Sequence, residues 1–333
     1  MKIFVFPGQG SQEVGMGADL FKSDSTFRSL VALASELVGE NLEPVSLRGP
    51  ERKLVQTRLL QPLLVAVSLG YLRQLNERGG QPDLVLGHSL GEITALAAAG
   101  VVSPADAVRI AAKRGELMAE AAAKLDGGML AVKVEDRTRL RDWLTSATPD
   151  HRVTLANDNA PAQVVLSGER SALTAGANFL RRERLGQCRF LAVSGPWHSP
   201  LMAEAALRFE AWLRQIPLRP PQRPMLLNVT AARAATAGDI LSSISGALTR
   251  PVQWAACMTA VRALNPRWLL EVGPGRVLAG LARANGFGAE TQILNISNLR
   301  AVEGAVQTLS LAAPGPVEVE SCSGRPPLLA SGS

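Results

Sequence analysis

Residues 83–100 read DLVLGHSLGEITALAAAG. A short apolar run, Leu84 to Leu86, is followed by Gly87-His88-Ser89-Leu90-Gly91 and then by an alanine-rich segment. That layout is a buried strand entering a helix through a turn. G-x-S-x-G at such a junction is a nucleophile elbow. Small residues two positions either side of the serine let strand and helix backbones pass closely. The serine oxygen then sits at a helix N-terminus, where free N–H groups and the helix dipole favour developing negative charge. A plainer reading stands beside it, in which Ser89 only caps the helix. A pattern of five with two glycines arises often by chance, so the strand before it and the helix after it carry the argument.

Outside this stretch, the totals narrow the class. The chain has 333 residues, 47% of them hydrophobic and only 4% aromatic, so its core is aliphatic and alanine-based. That suits helices covering a sheet, in one large domain or two smaller ones. No apolar run approaches the roughly 18 residues of a membrane span. The N-terminal KIFVF goes directly into a strand pattern with no signal-peptide layout, so a cytoplasmic protein without membrane attachment is expected. The net charge is +6, with basic residues scattered apart from RRER at 181–184 and not interleaved with aromatics. No nucleic-acid partner is expected from that pattern, whereas an acidic partner would be steered by it. Cys188, Cys257 and Cys322 form no CxxC pair and no metal-ligand spacing, which predicts free thiols and no metal site.

Along the chain, KIFVFPGQGSQ reads as a buried strand running into a Gly-rich loop. Helical periodicity follows from Leu20 to about Leu75, with a break near NLEPVSLRGP. A further helix is predicted in SPADAVRIAAKRGELMAEAAAKL, with Ser103 as N-cap and Pro104 in the first turn. After Asp126 the pattern changes. MLAVKV, EDRTRLRDWLTSA, VTLAND, QVVLSG, ERSALTAGANFLRRERLG and CRFLAVSG read as strand, helix, strand, strand, helix, strand. That β-α-β-β-α-β order is the ferredoxin-like signature, here as an insertion at 127–195. The expected architecture is therefore α/β. A large α/β-hydrolase-like subdomain with a parallel sheet and the elbow spans 1–126 and 196–312, and the small subdomain is inserted in it. MLLNVT and RWLLEVGPG read as later strands of the large part. Residues 313–333, rich in Pro, Gly and Ser, are expected to be a disordered tail.

A serine nucleophile needs a base close in space rather than in sequence. The chain has three histidines. His88 neighbours Ser89, and adjacent side chains on such a turn point different ways. His151 falls in a connection of the small subdomain. His198, in SGPWHSPLM, lies where the insertion ends and the large part resumes, a loop that can carry a catalytic group at an interface. It is the base by elimination. The search for a triad acid between serine and histidine stays open: Asp106, Asp126, Asp136, Asp142, Asp150 and Asp158 all fall there, none distinguished. The HGGG oxyanion motif of lipases is missing, so a simple hydrolase fits poorly.

Four separated segments change the picture. FPGQGSQ (6–12), GHSLGE (87–92), RGELM (114–118) and NPRWLLEVGPGRVL (265–278) stand in the order of one family, with NDNAPAQVVLSG, WHSPLM and RPVQW as weaker matches. On these the sequence resembles the malonyl-CoA:acyl carrier protein transacylases of fatty-acid and polyketide synthesis, from about residue 3 to 300. The resemblance implies that Ser89 is acylated and His198 is its base. It also implies that backbone carbonyls, including that of Gln253, orient the histidine, and that the N–H groups of Gln9 and Leu90 form the oxyanion hole. Arg114 would clamp the free carboxylate of a malonyl group through a bidentate pair. Trp197 holds the position that tracks malonyl against methylmalonyl choice. The family usually has phenylalanine or serine there, so this tryptophan is a departure, and its bulk would crowd an α-branch.

The activity so implied is ping-pong transfer from malonyl-CoA to the phosphopantetheine thiol of an acyl carrier protein, with no permanently bound cofactor. The partners are that carrier, free or as a polyketide synthase domain, and the coenzyme A thioester. Three rivals remain. An acyl hydrolase editing carrier proteins would need no arginine clamp. A malonyl transferase subunit of malonate decarboxylase would share the motifs. A docking module would have no reason to keep serine, histidine and arginine together.

Overall fold

The computed structural model describes residues 1–147 and 152–311. His151, Cys322 and the expected tail at 313–333 lie outside the described residues. Among the described residues there are eight strands: β1 (Lys2–Phe6), β2 (Leu84–Gly87), β3 (Gly127–Val134), β4 (Val153–Ala160), β5 (Gln163–Glu169), β6 (Gly186–Phe190), β7 (Trp268–Val272) and β8 (Gln292–Ile296). They form two four-stranded sheets, one parallel in the order β2-β1-β7-β8 and one antiparallel in the order β4-β5-β3-β6.

The parallel sheet follows from its apolar runs. In β1, Phe4 sits opposite Val85 of β2 and Leu270 of β7, and Ile3, Phe4, Val5 and Phe6 are all buried. Alternate residues face opposite sides, so a strand buried throughout needs cover on both faces. Phe4 and Phe6 pack in the cluster that holds Leu59, Leu63 and Leu64 of the helix Thr57–Glu77. Ile3, Val5, Leu84 and Leu86 pack on the other side with Trp254, Cys257 and Met258 of the helix Trp254–Arg262.

The antiparallel sheet has the same two-sided logic. Leu130, Val132, Val164 and Leu166 meet Leu173 and Leu180 of the helix Arg170–Arg182. From its opposite face, Met129 and Val165 join the large cluster built around the parallel sheet. β4 is also stitched to that body: Asp158 N–H donates to the Val252 carbonyl and Val252 N–H to the Ala156 carbonyl, both at 2.9 Å. The space between the two sheets is where the serine emerges.

Three expected elements need correction. The break near NLEPVSLRGP contains a helix, Leu42–Arg48, because the Asn41 side chain accepts from the Glu43 N–H and starts it. The strand read as CRFLAVSG begins earlier, at Gly186, and ends at Phe190, after which Leu191 and Val193 turn in to line a cavity. MLLNVT is no strand beyond single bridges at Met225 and Leu226. There the chain doubles back at once, with Ala231 at φ 54° and its N–H bonded to the Leu227 carbonyl, and presents Asn228 to the elbow.

Candidate active site

β2 stops at Gly87 and the helix Gly91–Ala98 starts four residues later, with Ser89 between them at φ 51°. A non-glycine residue in the left-handed region costs on the order of 1 kcal/mol or more, so something must hold it there. Tight packing is one constraint: a Cβ at Gly91 would lie 2.0 Å from the Phe6 carbonyl oxygen, and one at Gly87 2.0 Å from Gly91 backbone. Asn228 is the other. Its Oδ1 accepts from the Ser89 N–H and its Nδ2 donates to the Gly87 carbonyl, each at 2.6 Å. Sequence reasoning missed Asn228, since nothing in MLLNVT distinguishes it from a strand residue.

Ser89 and His198, 109 positions apart, meet with Oγ 2.8 Å from Nε2. His198 is itself left-handed, at φ 60°, and buried. Its Nδ1 lies 2.5 Å from the Ala247 carbonyl oxygen, which can only accept. Nδ1 therefore carries the proton and Nε2 is left to accept from the serine. The expectation that the Gln253 carbonyl orients this ring is corrected here. Ala247 ends the helix Ala237–Gly246, and the last carbonyls of a helix lack helical partners. Gln253 instead opens the helix Trp254–Arg262, and its carbonyl is taken by the Cys257 N–H at 3.0 Å. No triad carboxylate is needed in this arrangement, because a peptide carbonyl fills that position.

Arg114, on the helix Pro104–Ala122, is 3% exposed. Its Nη1 donates to Gln61 Oε1 at 3.0 Å and its Nη2 to Ser89 Oγ at 3.2 Å. Burial pulls its pKa down to about 10, against the opposing pull of Glu92, so the guanidinium keeps its charge at neutral pH. Burial, and next the Arg114 charge, push His198 down to about 3, although the Ala247 carbonyl works the other way. The imidazole is thus neutral and ready to take a proton. Glu92, in the first turn after the elbow, is buried and pushed up to about 7 by desolvation.

The remaining expected residues gather here too. Gln9 and Leu90 flank the serine, and among the described residues neither backbone N–H is taken by a protein acceptor. A Cβ at Gly8 would fall 2.5 Å from the His88 carbonyl oxygen, which fixes how closely the Gly-rich loop approaches the elbow. Trp197, 4% exposed, shares with Met118, Met129, Val165 and Leu191 the apolar wall of a cavity of about 80 Å³ that reaches Ser89 and Arg114. His88 also lines this cavity, but its Nε2 is paired with Asn159 Oδ1 on β4, 2.8 Å away, and not with Ser89. It ties the elbow to the antiparallel sheet. Among the described residues no group of three or more His, Cys, Asp or Glu could hold a metal, and no helix is long and apolar enough to cross a membrane.

A half-buried serine at a strand-to-helix turn, a neutral histidine and free backbone donors on an α/β scaffold define a serine-dependent enzyme of acyl chemistry. The model of the acyl transferase domain matches residues 3–287, and the chain belongs to that family. It is 34% identical over 307 residues to the malonyl CoA-acyl carrier protein transacylase of Bacillus subtilis, covering 92% of this chain and 96% of the relative. A crystal structure of the malonyl-CoA:acyl carrier protein transacylase from Xanthomonas oryzae superposes with TM-score 0.86 at 34% identity, over 92% of this chain and 99% of that one. A malonyl-transacylase in complex with its type II polyketide synthase acyl-carrier protein superposes equally, at 32% identity over 92% and 100% of the two chains. The resemblance drawn from the four sequence segments is borne out.

Proposed function

We propose that this protein moves a malonyl group from malonyl-CoA to the phosphopantetheine thiol of an acyl carrier protein, through a malonyl ester on Ser89. The observation that carries the reading is the buried Arg114 guanidinium 3.2 Å from Ser89 Oγ, which is itself 2.8 Å from His198 Nε2. A cation there is out of place beside a neutral acyl chain, because it would stay unpaired, and is matched by a carboxylate at the far end of the acyl group.

In the first half-reaction Ser89 gives its proton to His198 Nε2 as Oγ attacks the thioester carbonyl. The oxyanion forms against the N–H groups of Gln9 and Leu90, each such donor contributing about 3 kcal/mol in the transition state. The C–S bond then breaks and the coenzyme A sulfur takes the proton from His198. In the second half the carrier thiol gives its proton to His198 and attacks the ester, and Ser89 recovers the proton as the malonyl group leaves. Arg114 holds the distal carboxylate throughout, and Trp197 narrows the space beside the α-carbon in favour of an unbranched malonyl group. The chemistry calls on side chains, backbone and two thiols, with no bound cofactor in any step.

The names of the relatives support the substrate pair, and the carrier complex among the structural neighbours supports the acceptor. The strand order β4-β5-β3-β6 supports a ferredoxin-like small subdomain at 127–195, set into a large α/β-hydrolase-like one at 1–126 and 196–312. A coenzyme A thioester donor and a carrier-protein acceptor support a cytoplasmic location. With labelled malonyl-CoA and a holo carrier protein, label should reach the carrier much faster than water. Rapid release of free malonate, with acetyl thioesters handled equally well, would favour an editing hydrolase instead.

A further inference from the structure

We infer that Glu92 is a positioning residue for this reaction, bracing the nucleophile turn against the helix whose C-terminal end offers the carbonyl that orients His198. The inference rests on the reading of Ser89 as nucleophile. Glu92 Oε1 accepts two hydrogen bonds, from the Asn228 N–H at 2.9 Å and from Ser243 Oγ at 3.0 Å. Through the first it fixes Asn228, whose side chain holds both Ser89 N–H and the Gly87 carbonyl at 2.6 Å. Through the second it reaches the helix Ala237–Gly246, where the Ser243 carbonyl accepts from the Ala247 N–H at 2.8 Å. Ala247 in turn offers its carbonyl to His198 Nδ1 at 2.5 Å. One carboxylate oxygen thus links the left-handed serine to the acceptor of its base.

The burial of the group argues for a purpose. Glu92 is 1% exposed, and among the described residues no ion pair is formed by its carboxylate. Desolvating a carboxyl group without a salt bridge opposes folding, and alanine fits a helix better than glutamate does. A brace on the Ser89–His198 distance accounts for its presence, since displacing reacting groups by about 1 Å can cost about a hundredfold in rate.

The test reads the rate of Ser89 modification by an alkyl fluorophosphonate, together with steady-state malonyl transfer to a carrier. Glu92→Ala should slow labelling by about fiftyfold or more and lower kcat in parallel, with the KM for malonyl-CoA changed less than about threefold, because Arg114 is held by Gln61 and Ser89 rather than by a hydrogen bond to Glu92. Glu92→Gln should stay within about fivefold of the parent, since its amide oxygen can accept the same two bonds. Ser243→Ala, a small buried change that removes only the helix-side bond, should slow labelling by about tenfold. Labelling of Glu92→Ala at the parental rate, or a loss seen in KM alone, would overturn the inference. So would an equal loss in Glu92→Gln and Glu92→Ala. If Glu92→Ala does not fold, Ser243→Ala decides, and parental rates in it refute the brace. Failure of the underlying reading looks different: Ser89→Ala would then keep full transfer activity.

Discussion

Arg114 and His198 share one small volume, and burial, reinforced by the charge of the first, sets the working form of the second. With its pKa pushed to about 3 by burial and by Arg114, His198 is neutral over the whole range in which a free histidine titrates. A base with a lowered value is active above that value and lost below it. Fluorophosphonate labelling of Ser89 should therefore show no inflection near the ordinary histidine value of about 6.5. Removing the neighbouring cation with Arg114→Ala should move the acid limb to higher pH, which a pH series on that variant measures directly. The same variant should lose about two to three orders of magnitude in malonyl transfer, the scale of truncating one partner of a buried charge pair. Acetyl transfer should fall far less or rise. Equal losses in both would remove the carboxylate clamp from the account, and Arg114→Lys should recover little because the fork geometry is gone.

At the scale of elements, the turns that carry chemistry are anchored by buried polar groups reaching across the sequence. Glu271 on β7 shows this for the segment after EVGPG. Its carboxylate accepts from the Leu278 and Ala279 N–H groups at 3.0 and 2.8 Å and from Asn295 Nδ2 at 3.0 Å, starting the helix Val277–Ala284. Glu271→Ala leaves the buried N–H groups of Leu278 and Ala279 unpaired and should cost about 2–4 kcal/mol in chemical denaturation, with Ser89 labelling of the folded fraction unchanged. Elements of this molecule were legible wherever the signal is local. The glycines of GHSLG, the apolar KIFVF and LVLG runs and the Ser103-Pro104 helix start each dictate their own backbone, and the structure has them where the pattern puts them. Asn228 and Ala247 were not legible. One acts only because the chain doubles back after Leu226, and the other contributes a backbone carbonyl that any residue would supply. Gln253 failed as the histidine's partner for the same reason: a carbonyl carries no sequence mark, and helix geometry had already assigned this one.

For the whole molecule, two sheets close on one cavity, and the chain carries a net charge of +6. If an acidic carrier docks on its surface, kcat/KM for the carrier should fall about tenfold from low to moderately high ionic strength. Transfer to a small uncharged thiol acceptor such as pantetheine should stay nearly flat, and parallel slopes would deny a role to the surface charge. The charge, the clamp and the brace all presuppose that Ser89 carries the acyl group between two thiols. The most direct measurement is mass spectrometry of the protein quenched after brief exposure to malonyl-CoA, then again after addition of a holo carrier. The account predicts one malonyl adduct on the Ser89 peptide that disappears into the carrier faster than into water. Transfer at full rate with no adduct on Ser89, or with Ser89 replaced by alanine, would contradict it.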